Sequence, residues 1–238
     1  MDAVIDSKQQ IREFVWRKLK EYNLSVGPCY GKIPNFIGSA TAANRIIYSR
    51  FFRNAEVIYS TPDPPQKPIR EAALYLRKTL IISTRALSRG FLLLQPDEIP
   101  KGAYRYASTY RGAMTYGKRI DMLEGIHIDI FVMGSVAVDR NGGRIGIGDG
   151  MQDLEYAVLR ELGVVDKDTL TVTTVHDVQV VNRVPMNLHD VPADIAGTPS
   201  ELIITNTKHP KPSGVIWELV SADKISNIKI LKQLSGFI

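Results

Sequence analysis

EVIYSTPDPPQKPIREAALYLRKTLIIS, residues 56–83, is the stretch that decides the fold. EVIYS (56–60) is short, apolar and β-branched, and reads as a strand. The four prolines of STPDPPQKP (60–68) remove backbone donors and fix φ, so neither regular element can run through them. Pro68 suits the first turn of a helix that IREAALYLRK (69–78) continues, and TLIIS (79–83) reads as a buried strand. Strand, helix and strand at this spacing make a right-handed crossover. They predict a parallel sheet covered by helices on both faces.

The flanking sequence extends this pattern. Asp6 or Ser7 caps a helix, with Gln9 or Gln10 at the capping-box position and Ile11, Phe14, Val15 and Leu19 along one face. A loop marked by Gly27, Pro28, Gly31 and Pro34 precedes a second helix in SATAANRIIYSRFF (39–52), capped by Ser39. Residues 84–125 are less regular. IDIFVMGSVAVD (128–139) is either a pair of central strands or one long kinked strand, ended by the turn RNGG. A helix is expected from about Gly150 to Leu162, stopped by Gly163. LTVTTVH (170–176), VQVVN (178–182) and ELIIT (201–205) supply further strands. A basic loop, KHPKPSG (208–214), leads to a final strand and helix.

Composition narrows the class. With 44% apolar and 23% charged residues in 238, the chain is not disordered, and no linker-like tract divides it, which predicts one domain over residues 1–238. A single cysteine, Cys29, and four scattered histidines exclude an internal disulfide and a zinc site of ordinary spacing. No leader-like or membrane-spanning apolar run is present, so a cytoplasmic location and no membrane partner are expected. Residues 1–120 carry 20 basic and 9 acidic residues and residues 121–238 carry 10 and 16, so the halves are +11 and −6. Either an anionic partner meets the first half, or the two halves attract each other within the fold.

Gly143-Arg144-Ile145-Gly146-Ile147-Gly148-Asp149-Gly150 lies between a strand and a helix. Successive amides and a helix N-terminus can converge on a phosphate there, with Arg144 as a bidentate donor, although alternating glycines also serve tight hairpins. The spacing is neither the dinucleotide G-x-G-x-x-G nor a P-loop. Asp153, in the first helical turn, is placed either to hold magnesium with nucleotide phosphates or to balance the helix dipole. Lys8 and Arg12, one turn apart, are a phosphate clamp or a solvated face. His176-Asp177 and His189-Asp190 pair an acid/base group with a carboxylate, but neighbours on a strand face opposite ways, which argues against a dyad within either pair. Cys29 reads as loop packing. The stretch YRYASTYRGAMTYGKR (104–119) interleaves tyrosines with cations and suits a partly buried loop, a folate or nucleic acid.

These residues together resemble the 5-formyltetrahydrofolate cyclo-ligase (methenyltetrahydrofolate synthetase) family, whose loop signature is approximately G-x-R-L-G-x-G-x-G-Y-Y-D. Here it reads from Gly142 to Asp153, with Lys8 and Arg12 matching an N-terminal K-x-x-x-R and His189-Asp190 matching a later H-D. The similarity extends to the synthetase-domain-containing branch through KIPNF (32–36), PDPPQKPIR (62–70), TTVHDVQVV (173–181) and KHPKPSGVIW (208–217); some eukaryotic members of that branch append an RNA recognition motif, and no such module is expected here.

The resemblance implies a three-layer α/β fold of the NagB/RpiA/CoA-transferase type with a mainly parallel sheet. It also implies ATP-dependent cyclisation of 5-formyltetrahydrofolate to 5,10-methenyltetrahydrofolate. On that reading Lys8, Arg12 and Arg144 neutralise triphosphate charge, and the loop with Gly146, Gly148, Asp149 and Gly150 cradles it. Asp153 binds magnesium, Arg144 and Asp153 act in catalysis, and His189 and Asp190 meet the substrate. The basic first half then receives the glutamyl carboxylates of a reduced folate, polyglutamylated or not. Asp149, Met151 and Gln152 depart from the family's loop, and PDPPQKP stands where a family E-V-x-T is expected, leaving that carboxylate without a counterpart. A nucleotide- or folate-binding paralogue without ligase activity, or an RNA-binding protein, are the alternatives.

Overall fold

The computed structural model describes residues 7–84, 87, 90–120, 123 and 125–236. Its helices are α1 (Lys8–Glu21), α2 (Ser39–Ile47), α3 (Arg50–Asn54), α4 (Lys67–Tyr75), α5 (Tyr104–Ala107), α6 (Tyr110–Tyr116), α7 (Met151–Glu161), α8 (Ala222–Asn227) and α9 (Lys229–Ser235). Its strands are β1 (Val57–Ser60), β2 (Thr79–Ser83), β3 (Phe91–Leu94), β4 (Lys118–Ile120), β5 (Ile130–Val132), β6 (Ala137–Asp139), β7 (Arg144–Ile145), β8 (Leu170–Thr174), β9 (Val180–Val181), β10 (Ile195–Gly197) and β11 (Leu202–Ile204).

The crossover read from residues 56–83 is present: β1 and β2 pair in parallel, Val57 opposite Thr79, with α4 between them in sequence. An eight-stranded sheet, β11-β10-β8-β5-β1-β2-β3-β4, has five parallel strands from β10 to β2 and antiparallel partners at each edge. Strand period sends neighbouring residues to opposite faces, and both faces are apolar. Ile58, Leu80, Ile82, Ile130 and Val132 pack in one core with Ile46 of α2 and Ile69 and Ala73 of α4. Tyr59, Ile81 and Phe131 pack in a second core with Tyr156 and Leu159 of α7 and Leu231 of α9. Helix, sheet and helix make three layers, as expected.

The run 128–139 is a strand pair, but the pair is divided between two sheets. β5 lies in the large sheet, whereas β6 crosses into a small one of order β7-β6-β9, with β6 and β7 antiparallel. Buried Asp139 fixes the intervening RNGG turn, taking Asn141 N at 2.8 Å and Gly143 N at 2.9 Å on Oδ1 and Val184 N at 2.7 Å on Oδ2. α1 lays Ile11, Val15 and Leu19 against Ala137 and Ile145 of this small sheet. That packing brings an N-terminal helix to a loop more than 130 residues away in sequence.

Several expectations are corrected. The helix expected over 39–52 is two, because Ser49 donates its hydroxyl to Ile46 O and accepts from Phe52 N at 3.2 Å, capping a new helix. Gly38, at φ +89°, stands at the start of α2 instead of Ser39. Ser7 caps α1 in a full capping box with Gln10, and Asp6 lies outside the described residues. β3, β4 and β10 arise in segments given no strand, and GVIWELV makes a single helical turn rather than a last strand. These strands of three or four residues are too short for a periodic signal, and sheet neighbours create them. The Tyr/Arg stretch becomes α5, α6 and edge strand β4. Its Tyr104 is core, donating to Pro96 O at 2.9 Å, whereas Arg105, Arg111, Lys118 and Arg119 are exposed.

Candidate functional site

The β6–β7 hairpin delivers the glycine loop to the end of the parallel strands, where open α/β sheets place their ligands. Gly148 has φ +105° and Gly150 φ +66°, conformations that side chains oppose. A Cβ on Gly148 would also stand 3.1 Å from the guanidinium carbon of Arg12. α7 follows Gly150, which has no side chain to cap it, and its first amide, Met151 N, is taken by the Asp149 carboxylate. None of the five amides from Gly146 to Gly150 donates to another described residue. A row of unpaired N–H groups running into a helix N-terminus carries partial positive charge and awaits an acceptor.

The residues that the family resemblance assigns to the site all line one pocket of about 210 Å³. Lys8 and Arg12 come from α1, Arg144 from β7, and Gly146, Gly148, Asp149 and Gly150 from the loop. Asp153 comes from α7, and His189 and Asp190 from the loop before β10. Their hydrogen bonds divide them into exposed and supporting groups. Arg144 is 2% exposed and donates to Val191 O and Gly134 O at 3.0 Å each, besides pairing with Asp153. It therefore binds strand end, loop and helix together beneath the pocket. Asp153 also accepts Val191 N at 2.9 Å, and both contacts fall on Oδ1, so Oδ2 is the oxygen left to a ligand or cation.

Arg12 donates to Gly146 O at 2.8 Å and to Gln9 at 3.2 Å, holding the loop against α1. Burial lowers its pKa, opposed by the charges of Asp190, Asp149 and Asp153. Lys8 pairs with Asp190, which also takes Asn187 N at 2.5 Å. His189 and Asp190 occupy a turn rather than a strand, so the alternation that separates neighbours does not apply. Nε2 of His189 lies 3.6 Å from Asp190 Oδ1, and both line the pocket. His176, by contrast, caps the turn at Asp177–Gln179, accepting Val178 N on Nδ1 at 3.2 Å, and burial lowers its pKa.

Beneath the loop lies a buried acidic layer that sequence reading missed. Asp63 sits just beyond β1 in the proline segment, accepting from Thr61 Oγ1 at 2.7 Å and from Gln152 Nε2 at 2.9 Å. Burial raises its pKa, against the hydrogen bond from Thr61 and the charge of Arg70. Gln152, a pocket residue, leaves its Oε1 buried with no partner among the described residues. Glu155 is 4% exposed and takes the hydroxyl of Tyr59 at 2.7 Å, and burial pushes its pKa up to about 8. The proline segment is held by Arg70, 2% exposed, which donates to Ser108 O at 2.8 Å, Thr61 O at 2.7 Å and Asp63 O at 3.0 Å. Nothing in the local pattern around an arginine on a helix marks it as buried.

The 5-formyltetrahydrofolate cyclo-ligase family model matches residues 4–199. The chain belongs to that family. It is 36% identical over 235 residues to a mouse methenyltetrahydrofolate synthase domain-containing protein, covering 96% of this chain and 63% of that one. The human protein of the same description is 37% identical over 239 residues, covering 98% and 62%. The chain thus spans about 62–63% of the length of these curated relatives. The solution structure of an Aquifex aeolicus 5,10-methenyltetrahydrofolate synthetase superposes with a TM-score of 0.53 at 20% identity, over 84% of this chain and 93% of that one, and supports the fold.

Two residues of the loop and helix start make contacts of their own. The Asp149 carboxylate accepts Met151 N at 3.0 Å, so part of its charge is spent on the start of α7. Lys224 donates to the Asp149 carbonyl at 2.9 Å. Gln152 donates to the Asp63 carboxylate, which the proline segment supplies. Among the described residues no three His, Cys, Asp or Glu side chains gather to hold a metal. No described helix is long and apolar enough to cross a membrane.

Proposed function

We propose that residues 1–238 form one domain acting as an ATP-dependent 5-formyltetrahydrofolate cyclo-ligase, yielding 5,10-methenyltetrahydrofolate, ADP and phosphate. The carrying observation is the row of amides from Gly146 to Gly150, unpaired among the described residues, beside Lys8 and Arg12. A polyanion seated there meets fixed dipoles that need no reorganisation, which is how phosphoryl transfer is accelerated without a protein nucleophile. Lys8 and Arg12 supply positive charge at the pocket wall. Arg144 acts from below, holding Asp153 and the loop in position, a different role from the direct phosphate contact expected of it. The residues fit magnesium only as a shared ligand: Asp153 would hold it through Oδ2 with phosphate oxygens, and the ion would neutralise charge on the phosphates.

The formyl oxygen attacks the terminal phosphorus and ADP leaves; the neighbouring folate nitrogen then closes on the activated carbon, and phosphate departs. His189, half-exposed and beside Asp190, is placed to exchange a proton with the substrate. Gln152 Oε1, without a partner among the described residues, offers an acceptor to an N–H group of a reduced pterin at the pocket wall. We place the protein in the cytoplasm, with reduced folate, polyglutamylated or not, and ATP as its ligands.

A second reading, a binding paralogue without turnover, is favoured by charge: Lys8, Arg12 and Arg144 are balanced by Asp149, Asp153 and Asp190 in the same pocket. Incubation with 5-formyltetrahydrofolate and MgATP should give methenyl absorbance. Folded protein that binds ATP by calorimetry without turnover establishes the second reading instead, and protein that binds neither ATP nor reduced folate overturns both.

A further inference from the structure

The family match ends at residue 199, yet a second cavity, of about 300 Å³, is walled by residues beyond it. Those residues are strapped along α7. Lys211 pairs with Asp194 at 2.6 Å and donates to Thr169 O at 2.7 Å. Glu161, at the end of α7, accepts Val215 N at 3.2 Å, and a Cβ on Gly214 would stand 2.4 Å from its Oε2. At the other end Lys224 holds the Asp149 carbonyl. The chain between these anchors faces the N-terminal half of α7, so that Ile216, Leu219 and Val220 oppose Leu154 and Ala157 across a slot.

This slot is continuous with the polyanion pocket. Gly148, Asp149, Gly150, Asp153 and His189 line both. Its walls are mainly aliphatic, and Leu219 is 62% exposed, an apolar side chain left in water where a ring would cover it. A flat heterocycle held between aliphatic walls and joined to a phosphate chain at the glycine loop satisfies both pockets at once.

We propose that the slot between α7 and residues 212–224 takes the purine base of the nucleotide whose phosphates occupy the glycine loop. The proposal rests on the nucleotide reading of that loop. A reduced pterin is the poorer occupant, because its several N–H donors need acceptors. The buried acceptor without a partner among the described residues, Gln152 Oε1, is not in this slot: Gln152 lines the polyanion pocket and not the slot. The base therefore sits on a wall that the cyclo-ligase match does not include, and the C-terminal segment becomes part of the nucleotide site.

The test is calorimetric titration of the full chain with ATP, with inorganic tripolyphosphate and with 5-formyltetrahydrofolate. Ala157→Phe fills the slot, and Leu219→Ser strips one wall at an exposed position where folding is not at stake. ATP should bind more tightly than tripolyphosphate to the parent protein. Ala157→Phe should weaken ATP about tenfold and Leu219→Ser about threefold, with tripolyphosphate unchanged. Equal affinity of the parent for ATP and tripolyphosphate, ATP binding indifferent to Leu219→Ser, or loss confined to the folate overturns the assignment. Failure of tripolyphosphate and ATP alike to bind the parent protein instead strikes the loop reading beneath it.

Discussion

Glu155 is an acid that folding keeps protonated, and replacing it with glutamine isolates what that costs. Its side chain is buried beside Tyr59, and burial moves its pKa from 4.5 to about 8. The folded state holds this proton where the unfolded chain releases it. Its contribution to stability is therefore complete below pH 4.5, declines between pH 4.5 and 8, and is absent above. At about 1.4 kcal/mol per pH unit the whole span amounts to roughly 5 kcal/mol, an upper figure because water penetration relieves buried charge. Glu155→Gln keeps the shape and cannot ionise, so its cost in amide burial is the same at every pH. Urea unfolding of both proteins from pH 4 to 9 should show the variant losing ground least at high pH, with the parent-minus-variant difference falling by several kcal/mol. Other titrating groups cancel in that difference. Two parallel curves would refute the reasoning, since they require Glu155 to titrate alike folded and unfolded.

Two further predictions concern the loop. Arg144→Ala removes one partner of a buried ion pair and should destabilise by about 3–5 kcal/mol, lowering the thermal midpoint by about 10 °C; an unchanged midpoint with ATP binding lost would return the guanidinium to the ligand. Gly148→Ala puts a side chain at φ +105° and against Arg12, and should cost about 1–2 kcal/mol and about tenfold in tripolyphosphate affinity by calorimetry. Unaltered affinity would show that Arg12 and the loop amides do not act on the anion.

The sequence by itself determined the parallel centre of this fold and the membership of its polar pocket. Local chemistry writes both: prolines cannot enter strands, alternating glycines mark a loop that side chains cannot follow, and apolar runs of four or five residues mark strands buried on both faces. Lys8, Arg12, the glycine loop, Asp153, His189 and Asp190 were legible because each stands in a short ordered motif, and they do meet around one cavity. Only the tertiary structure decided what each one does there. Arg144 and Lys8 are both cations in the sequence, but one is buried in three contacts with Gly134, Asp153 and Val191 and the other lies at the surface end of α1 with Asp190, 182 residues away along the chain. Asp63, Arg70 and Glu155 carry no local mark at all. Their roles come from desolvation, which depends on how many other segments close over a group, and no window of sequence contains that sum.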